Sequence, residues 1–344
     1  MKSLRANSLC LLILLALSNA SQVFAQPFRS NQDQIGQFVV EVFEDSRGRL
    51  WFGTMALGVA CYDGKQLNYF TVKDGLAGNT VASVAEDHVG KIWFGTHTGA
   101  TSFDGENFTS FKNDQGLSGA GCQILVTSQG HIWAATNDGA FRFDGESFAK
   151  FELPRPPKIG ESYKWERGKV WAILEDRSGN IWFGRDGFGV CRYDGNAFMH
   201  LTKADGLCSN NISEIVQDKQ GNMWFGCLSS DFPEPVQEGG LSRWNGSSMQ
   251  GFRDKPGLFQ NDIYSIACDR SGNVWIGANG HGVYRYDGHE FVLFAKTNRK
   301  DLTENFGVQS ILQAADGRLW FGFSGGLFRL EEKELVNITK DGPW

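Results

Sequence analysis

The sequence is poor in proline and histidine, and it lacks the short motifs by which many enzymes are recognised. Its 344 residues include 8 Pro and 6 His. It contains no nucleophile elbow, no His-Glu-x-x-His zinc motif, no Cys-x-x-Cys pair and no phosphate-binding glycine loop. We therefore predict no catalytic residue, no metal ligand and no cofactor.

Runs of basic residues are also absent. The chain has 33 Lys and Arg residues against 39 Asp and Glu residues, which gives a net charge of −6. Proteins that bind nucleic acids need clustered positive charge along one surface. A nucleic-acid partner is therefore not expected.

Long apolar segments are scarce, and the most pronounced one lies at the amino terminus. Residues 9–17 are apolar and follow a positively charged start, and Val23-Phe24-Ala25 resembles a signal-peptidase site. So short a stretch does not span about 30 Å of hydrocarbon. We predict a signal peptide over residues 1–25, and over residues 26–344 an exported chain, periplasmic or secreted, without a membrane span.

What the sequence does contain is one phrase that recurs seven times. Each copy has a tryptophan with a glycine three residues before it, as in Gly90-Lys91-Ile92-Trp93. The tryptophans are Trp51, Trp93, Trp133, Trp182, Trp224, Trp275 and Trp320. They lie 42, 40, 49, 42, 51 and 45 residues apart. Self-similarity at this period is typical of a repeat architecture.

Each copy of the repeat predicts four short strands. In the second copy these are residues 81–86, 91–96, 99–103 and 107–111, and the Asp104-Gly105 pair before the last one is typical of a tight hairpin. Seven units of four antiparallel strands predict an all-β fold, a seven-bladed β-propeller. A linear solenoid would need polar capping units, whereas the first and last units keep their apolar residues. The repeated tryptophans are then predicted to pack between neighbouring blades.

The residues around the tryptophan resemble a known family. The pattern Glu-Asp-x-x-Gly-x-(Leu/Ile)-Trp-Phe-Gly-Thr is clearest in residues 44–54, 86–96 and 175–184, and linking segments carry Asp-Gly-Leu, as at residues 74–76. Over about residues 36–340 the chain resembles the two-component regulator propeller family. The resemblance implies an exported sensor-type propeller, of a kind that often responds to carbohydrates within hybrid sensor kinases. The sequence has no kinase segment, so a separate signalling protein is an expected partner.

The loop lengths predict where a ligand binds. In a four-stranded blade, the second-to-third turn and the link between blades lie on the same face of the disc. From the tryptophan to the hairpin aromatic is 10 or 11 residues in six repeats but 20 in the fifth, and Gly145 is 37 residues before Trp182 where four other links have 28 or 29. Because loops on a rigid scaffold commonly carry function, we predict that this variable face binds a carbohydrate or a protein.

Aromatic, amide and charged side chains in these loops are the candidate ligand contacts. They are Tyr163, Trp165 and Arg167 in the long link, Arg185 and Asp186 after the fourth tryptophan, Phe232 in the fifth-repeat insert, and His97, Asn137 and His281 in other loops. The alternative is that the inserts are solvated loops and that Trp165 packs on a blade edge.

Two other classes of function stay open at this point. A propeller lyase or hydrolase would place its active site at the channel mouth, where His97 and His281 are the histidines on the variable face. A structural ring would bind other proteins through residues 154–157 and the acidic insert. Cys208 and Cys227 both belong to the variable face, so a disulfide between them is conceivable, and buried free thiols are the alternative.

Overall fold

Seven four-stranded sheets make up the fold. The computed structural model describes residues 34–36, 38–112, 114, 116–119, 121–157, 159, 168–229, 238–298 and 307–340. Within this part of the chain, every sheet is antiparallel and uses four strands that are consecutive in sequence. The all-β, seven-bladed propeller predicted from the sequence is confirmed. The predicted signal peptide lies outside the described residues.

Each blade consists of four strands that follow one another in sequence. Blade 1 has β1 (Val39–Glu44), β2 (Leu50–Thr54), β3 (Val59–Tyr62) and β4 (Leu67–Phe70), and blade 2 has β5 (Val81–Glu86), β6 (Ile92–Thr96), β7 (Gly99–Phe103) and β8 (Phe108–Phe111). Blade 3 has β9 (Gln123–Val126), β10 (Ile132–Thr136), β11 (Gly139–Phe143) and β12 (Phe148–Phe151), and blade 4 has β13 (Val170–Glu175), β14 (Ile181–Arg185), β15 (Gly189–Tyr193) and β16 (Phe198–Leu201). Blade 5 has β17 (Ile212–Gln217), β18 (Met223–Cys227), β19 (Gly240–Trp244) and β20 (Met249–Gly251). Blade 6 has β21 (Ile263–Cys268), β22 (Val274–Ala278), β23 (Gly282–Tyr286) and β24 (Phe291–Phe294), and blade 7 has β25 (Val308–Gln313), β26 (Leu319–Phe323), β27 (Gly326–Glu331) and β28 (Glu334–Asn337).

The first strand of each blade forms the inner wall of the ring. The first strands of successive blades contact one another all the way round, and β25 of the last blade contacts β1 of the first. The ring is therefore closed, and a central channel runs between the seven first strands.

The tryptophan of each second strand is buried between two blades. All seven are at most 4% exposed. Trp224, for example, stacks on Phe252 with 5.4 Å between the ring centroids, and its centroid also lies 5.4 Å from that of Tyr286 in the next blade. Large aromatic side chains of this kind dominate the energetics of a core, which is the role that the repeat predicts for them.

An aspartate at the start of the first turn holds the tryptophan in five blades. In blade 5, Trp224 Nε1 donates to Asp218 Oδ2 (2.8 Å), while Asp218 Oδ1 accepts from the backbone N–H groups of Gln220 (3.0 Å) and Asn222 (2.8 Å). The same bond joins Trp51 to Asp45, Trp93 to Asp87, Trp182 to Asp176 and Trp275 to Asp269. One carboxylate thus satisfies a buried indole and fixes the turn.

The glutamate before that aspartate ties neighbouring blades together. Glu86 of blade 2 accepts from the backbone N–H of Ser46 in blade 1 (2.6 Å), and Glu175 of blade 4 accepts from Ser128 in blade 3 (2.5 Å). The ring closes through the same contact, because Glu44 of blade 1 accepts from the N–H of Ala315 in blade 7 (2.5 Å).

Blade 7 lacks the aspartate, and its tryptophan shows the effect. Ala314 occupies the position and keeps the turn through its backbone, since Ala314 N donates to Arg318 O (2.9 Å). The buried Trp320 Nε1 has no hydrogen-bond partner among the described residues.

These two turns lead to a matched pair of predictions. Asp218→Ala leaves the Trp224 N–H buried without an acceptor, and we expect it to lower the free energy of unfolding by about 2–3 kcal/mol. Ala314→Asp supplies Trp320 with an acceptor, and we expect a gain of about 1 kcal/mol. Urea unfolding followed by tryptophan fluorescence measures both. If Ala314→Asp destabilises the protein as much as Asp218→Ala does, the aspartate does not act as the indole acceptor.

Candidate binding face and central channel

The two faces of the ring differ in the regularity of their turns. The first-to-second turn has five residues in all seven blades, and the third-to-fourth turn has four in six of them. The second-to-third turns vary from two residues to the twelve between β18 and β19, and the links between blades vary from ten to eighteen. Apart from the short third-to-fourth turn of blade 7, the turns that differ in length between blades are thus the second-to-third turns and the links, which form the predicted variable face.

The structure places five of the nine predicted contact residues on this face. His97, Asn137, Asp186 and His281 lie in second-to-third turns, and Arg185 is the last residue of β14. Tyr163, Trp165, Arg167 and Phe232 lie outside the described residues.

The two histidines are held within their own parts of the ring. His97 in blade 2 accepts a hydrogen bond from the backbone N–H of Thr80 at Nδ1 (3.4 Å) and packs over Gly78, where a Cβ would lie 2.8 Å from its ring. His281 in blade 6 donates from Nδ1 to the carbonyl of Asn279 (3.0 Å). No described contact joins them, so the structure does not bring the two imidazoles together.

Arg185 is a buried cation rather than an exposed one. Only 5% of the residue is exposed, its Nη1 donates to the carbonyl of Pro154 (2.7 Å), and its guanidinium lies 4.6 Å from the centroid of the Phe188 ring. Its Nε is buried and has no partner among the described residues. Burial lowers the pKa of this guanidinium, because removal of water disfavours the charged form.

Two aromatic side chains at the channel mouth were not predicted from the sequence. Trp171 and Tyr264 are the second residues of β13 and β21, at the β-bulge of each innermost strand on the variable face. Lys169 Nζ lies 3.0 Å from the centroid of the Trp171 ring, and Trp171 Nε1 is buried without a partner among the described residues. Tyr264 donates to Asp262 Oδ2 (3.1 Å). The mouth therefore combines aromatic faces with charged and hydrogen-bonding groups.

A layer of mostly polar side chains lines the channel below the mouth. It consists of one residue of each first strand, opposite a glycine or alanine of the second strand, and in all blades but the third this residue follows a β-bulge. The residues are Glu41, Ser83, Gln123, Ala172, Glu214, Ser265 and Ser310. These side chains also join blades. Ser310 of blade 7 accepts from the N–H of Val42 in blade 1 (3.1 Å) and donates to Glu41 Oε1 (3.2 Å).

The two glutamates of this layer belong to blades 1 and 5. Glu214 Oε1 accepts from the N–H of Ile215 (3.1 Å), and Glu41 Oε1 accepts from that of Val42 (3.0 Å). Burial raises the pKa of both carboxyls from 4.5 to about 8, and the charge of Glu214 adds to the shift of Glu41. Both groups therefore hold a proton far above the pH at which a solvated glutamate loses it.

Cys208 and Cys227 are buried neighbours that share one hydroxyl group. The N–H of Cys208 donates to Ser242 Oγ (3.0 Å), and Cys227 Sγ lies 3.8 Å from the same oxygen. Both thiols are free in this structure. Burial raises the pKa of both, that of Cys227 to about 12. The disulfide stays a prediction.

The geometry defines the class of protein: a seven-bladed propeller with aromatic side chains at the channel mouth. Five of its blades match a known family. The family model described as two component regulator propeller matches residues 33–56, 75–98, 166–184, 206–229 and 257–280. The unmatched blades are 3 and 7, in which Thr127 and Ala314 stand at the aspartate position. The chain thus carries repeats of the two component regulator propeller family, as the resemblance predicts.

Solved structures with low sequence identity share the fold. The extracellular domain of a hybrid two component system from B. thetaiotaomicron is 22% identical, with a TM-score of 0.66 over 86% of this chain, and this chain spans only 39% of it. Virginiamycin B lyase from Staphylococcus aureus is 14% identical (TM-score 0.61, 86% of this chain and 94% of the lyase). PorZ of the type-IX secretion system of Porphyromonas gingivalis is 16% identical (TM-score 0.59, 86% of this chain and 47% of PorZ).

Two further results are negative. A search of the curated proteins gives no match to this sequence. Within the described ranges, no helix has the length and apolar character needed to cross a bilayer.

The channel glutamates predict how stability depends on pH. Their pKa is about 8 in the folded state against 4.5 for the ordinary group. Between these values the folded protein binds more protons than the unfolded chain, so the stabilisation is complete below about pH 4.5 and is lost as the pH rises through about 8. We expect Tm to fall between pH 5 and pH 8.5, and Glu214→Gln to be at least about 1 kcal/mol more stable than wild type at pH 8.5.

The control is Glu146→Gln, which changes an exposed glutamate in a hairpin turn. It should follow the wild-type curve at every pH. Parallel curves for wild type and Glu214→Gln would show that the channel carboxyl titrates like a solvated one.

The cysteine pair can be tested by counting thiols. Protein exported to an oxidising compartment, denatured without reductant and alkylated, should take up four alkyl groups on its six mature cysteines if Cys208 and Cys227 are paired, and Cys208→Ser should take up five. Six groups on the wild type, measured by intact mass, would contradict the pairing.

Proposed function

We propose that this protein is an exported, non-enzymatic sensor-type propeller that binds a glycan or a protein on its variable face. The observation that carries the proposal is the contrast between the two faces. One has five-residue first turns in all seven blades, whereas the other contains every long turn and link of the ring. A rigid frame with variable loops on one side is the usual arrangement of a binding protein.

The chemistry of the channel mouth supports this proposal. Trp171 and Tyr264 offer partly exposed rings, and Trp171 Nε1 is a buried donor without a partner among the described residues. Sugars are recognised by aromatic faces that cover their C–H groups, together with a few fixed hydrogen bonds. Tyr163, Trp165, Arg167 and Phe232, predicted from the sequence as ligand contacts, are included in this proposal.

Export and signalling are parts of the same proposal. The predicted signal peptide supports export, and the family and the extracellular domain from B. thetaiotaomicron favour a sensor role. A propeller that binds its ligand outside the cell then passes the signal to a separate signalling protein.

A glycan array tests the carbohydrate form of the proposal. We expect the exported protein to bind at least one class of glycan, and we expect Trp171→Ala and Trp165→Ala to weaken that binding at least about tenfold, or about 1.4 kcal/mol. Leu293→Ser is the control, because Leu293 is an exposed hydrophobic residue on the outer strand β24 and away from this face. Identical signals for all four proteins, or no signal from any, would remove the carbohydrate ligand and leave a protein.

A further inference from the structure

In four of the links, a buried leucine and the glycine before it close the space between two blades. We call this pair of residues the plug. Six residues after the aromatic or aliphatic residue at the end of the outer strand, each of these links has a leucine that is at most 3% exposed: Leu76, Leu117, Leu207 and Leu258. A glycine with positive φ precedes each leucine, at Gly75, Gly116, Gly206 and Gly257. The leucine N–H closes the turn, as in the bond from Leu76 to Thr71 O (3.2 Å).

The link from blade 3 to blade 4 cannot form this turn. Six residues after Phe151 it has Pro157, and Pro156 stands at the glycine position. Proline fixes φ near −65° and has no N–H, so neither the positive φ nor the closing hydrogen bond is available. Pro157 is accordingly exposed, whereas the leucine that it replaces is buried in the other links.

The missing plug leaves a cleft on the outer side of blade 4. Its volume is about 220 Å³, and it is lined by Pro156, Pro157, Phe198, His200, Thr202 and Asp205. Phe198, the first residue of β16, is 37% exposed. Its counterpart Phe108 in blade 2 is covered by the plug, because a Cβ on Gly75 would lie 2.7 Å from the Phe108 Cβ.

One carboxylate, that of Asp205, lines the cleft, and a buried cation lies behind it. Arg185 is buried, and no carboxylate among the described residues forms an ion pair with it. Its positive potential reaches the cleft wall, since burial and the charge of Arg185 together lower the pKa of His200. His200 Nδ1 is buried without a partner among the described residues. Asp205 is turned to Thr202, whose N–H and hydroxyl donate to Asp205 Oδ2 (2.9 and 3.0 Å).

We propose that this cleft docks a partner protein through a turn with the chemistry of the chain's plugs at residues 74–76 and 205–207: an acidic residue, a glycine and an aliphatic side chain. The glycine lets the turn approach Phe198, and the aliphatic side chain fills the space that Pro157 leaves open. The acidic residue caps its own turn, as Asp74 does when it accepts from the N–H and the hydroxyl of Thr71 (2.8 and 3.0 Å). The cleft lies where two links of the variable face meet the outer strand β16, so the proposal rests on the proposed function in its protein-binding form and names a docking site on that face.

The probe is the chain's own plug supplied as a peptide. A fluorescein-labelled peptide with the sequence of residues 71–80, Thr-Val-Lys-Asp-Gly-Leu-Ala-Gly-Asn-Thr, is titrated with the full protein and followed by fluorescence anisotropy. We expect saturable binding that weakens at least about tenfold for the peptide with Leu76→Asp. The protein variant Phe198→Ser should bind less tightly by a similar factor, and the outer-strand control Leu293→Ser should bind as wild type does.

A double variant that restores the plug in the protein itself completes the test. Pro156→Gly with Pro157→Leu should abolish peptide binding and raise Tm, because the cleft is then filled from within the chain. The proposal would be overturned if the peptide does not bind the wild-type protein, or if it binds the double variant as tightly as the wild type. It would also be overturned if the Leu76→Asp peptide binds as tightly as the original peptide. The glycan array is measured on other variants, so failure of either experiment is distinguishable from failure of the other.

Discussion

The hydrogen bond between a buried indole and an aspartate is the interaction on which this ring depends. An indole offers a large apolar surface, but its N–H must find an acceptor once water is excluded. In blade 5 the acceptor is Asp218, whose second oxygen fixes the turn between the first two strands. Because the core and the turn share one carboxylate, the turn cannot change length without loss of the indole acceptor. Blades 3 and 7 lack the aspartate and keep a first turn of the same length through a backbone hydrogen bond, as from Ala314 N to Arg318 O (2.9 Å).

Side chains next to the aspartate position also connect neighbouring blades. A glutamate or glutamine at the end of the first strand reaches the first turn of the preceding blade, as Gln217 reaches Arg177 and Gln313 reaches Arg270. Val126 and Cys268 stand at this position in blades 3 and 6. Before blade 6, the Cys268 thiol donates to the carbonyl of Gln217 (3.7 Å) and Lys219 donates to the carbonyl of Arg270. The frame that presents the variable face is thus held by side chains at its base, in addition to contacts between loops such as those from Ser229 to Asp262 (2.7 Å).

The sequence was sufficient for the fold because the signals that specify it are local. Seven glycine–tryptophan phrases and six hairpin triplets each lie within a few residues of one another. The channel is different. Glu41 and Glu214 are in blades 1 and 5, and only the shared register of seven first strands puts them in one layer. Trp171 and Tyr264 lie at the mouth because of β-bulges, and no turn residue in the sequence predicts a β-bulge. All nine predicted ligand contacts remain predictions, and four of them lie outside the described part of the chain.

The ring closes without exchange of strands between its first and last blades. Residues 39–70 and 308–337 each form a complete sheet, and the seam between them is built from packed side chains and from short contacts such as Ile35 N to Thr339 O (2.9 Å). The seam is therefore chemically the same kind of joint as the other six. Duplication or deletion of the gene segment for one whole unit would therefore not split a hydrogen-bonded sheet. The number of blades can then change by one unit at a time during evolution.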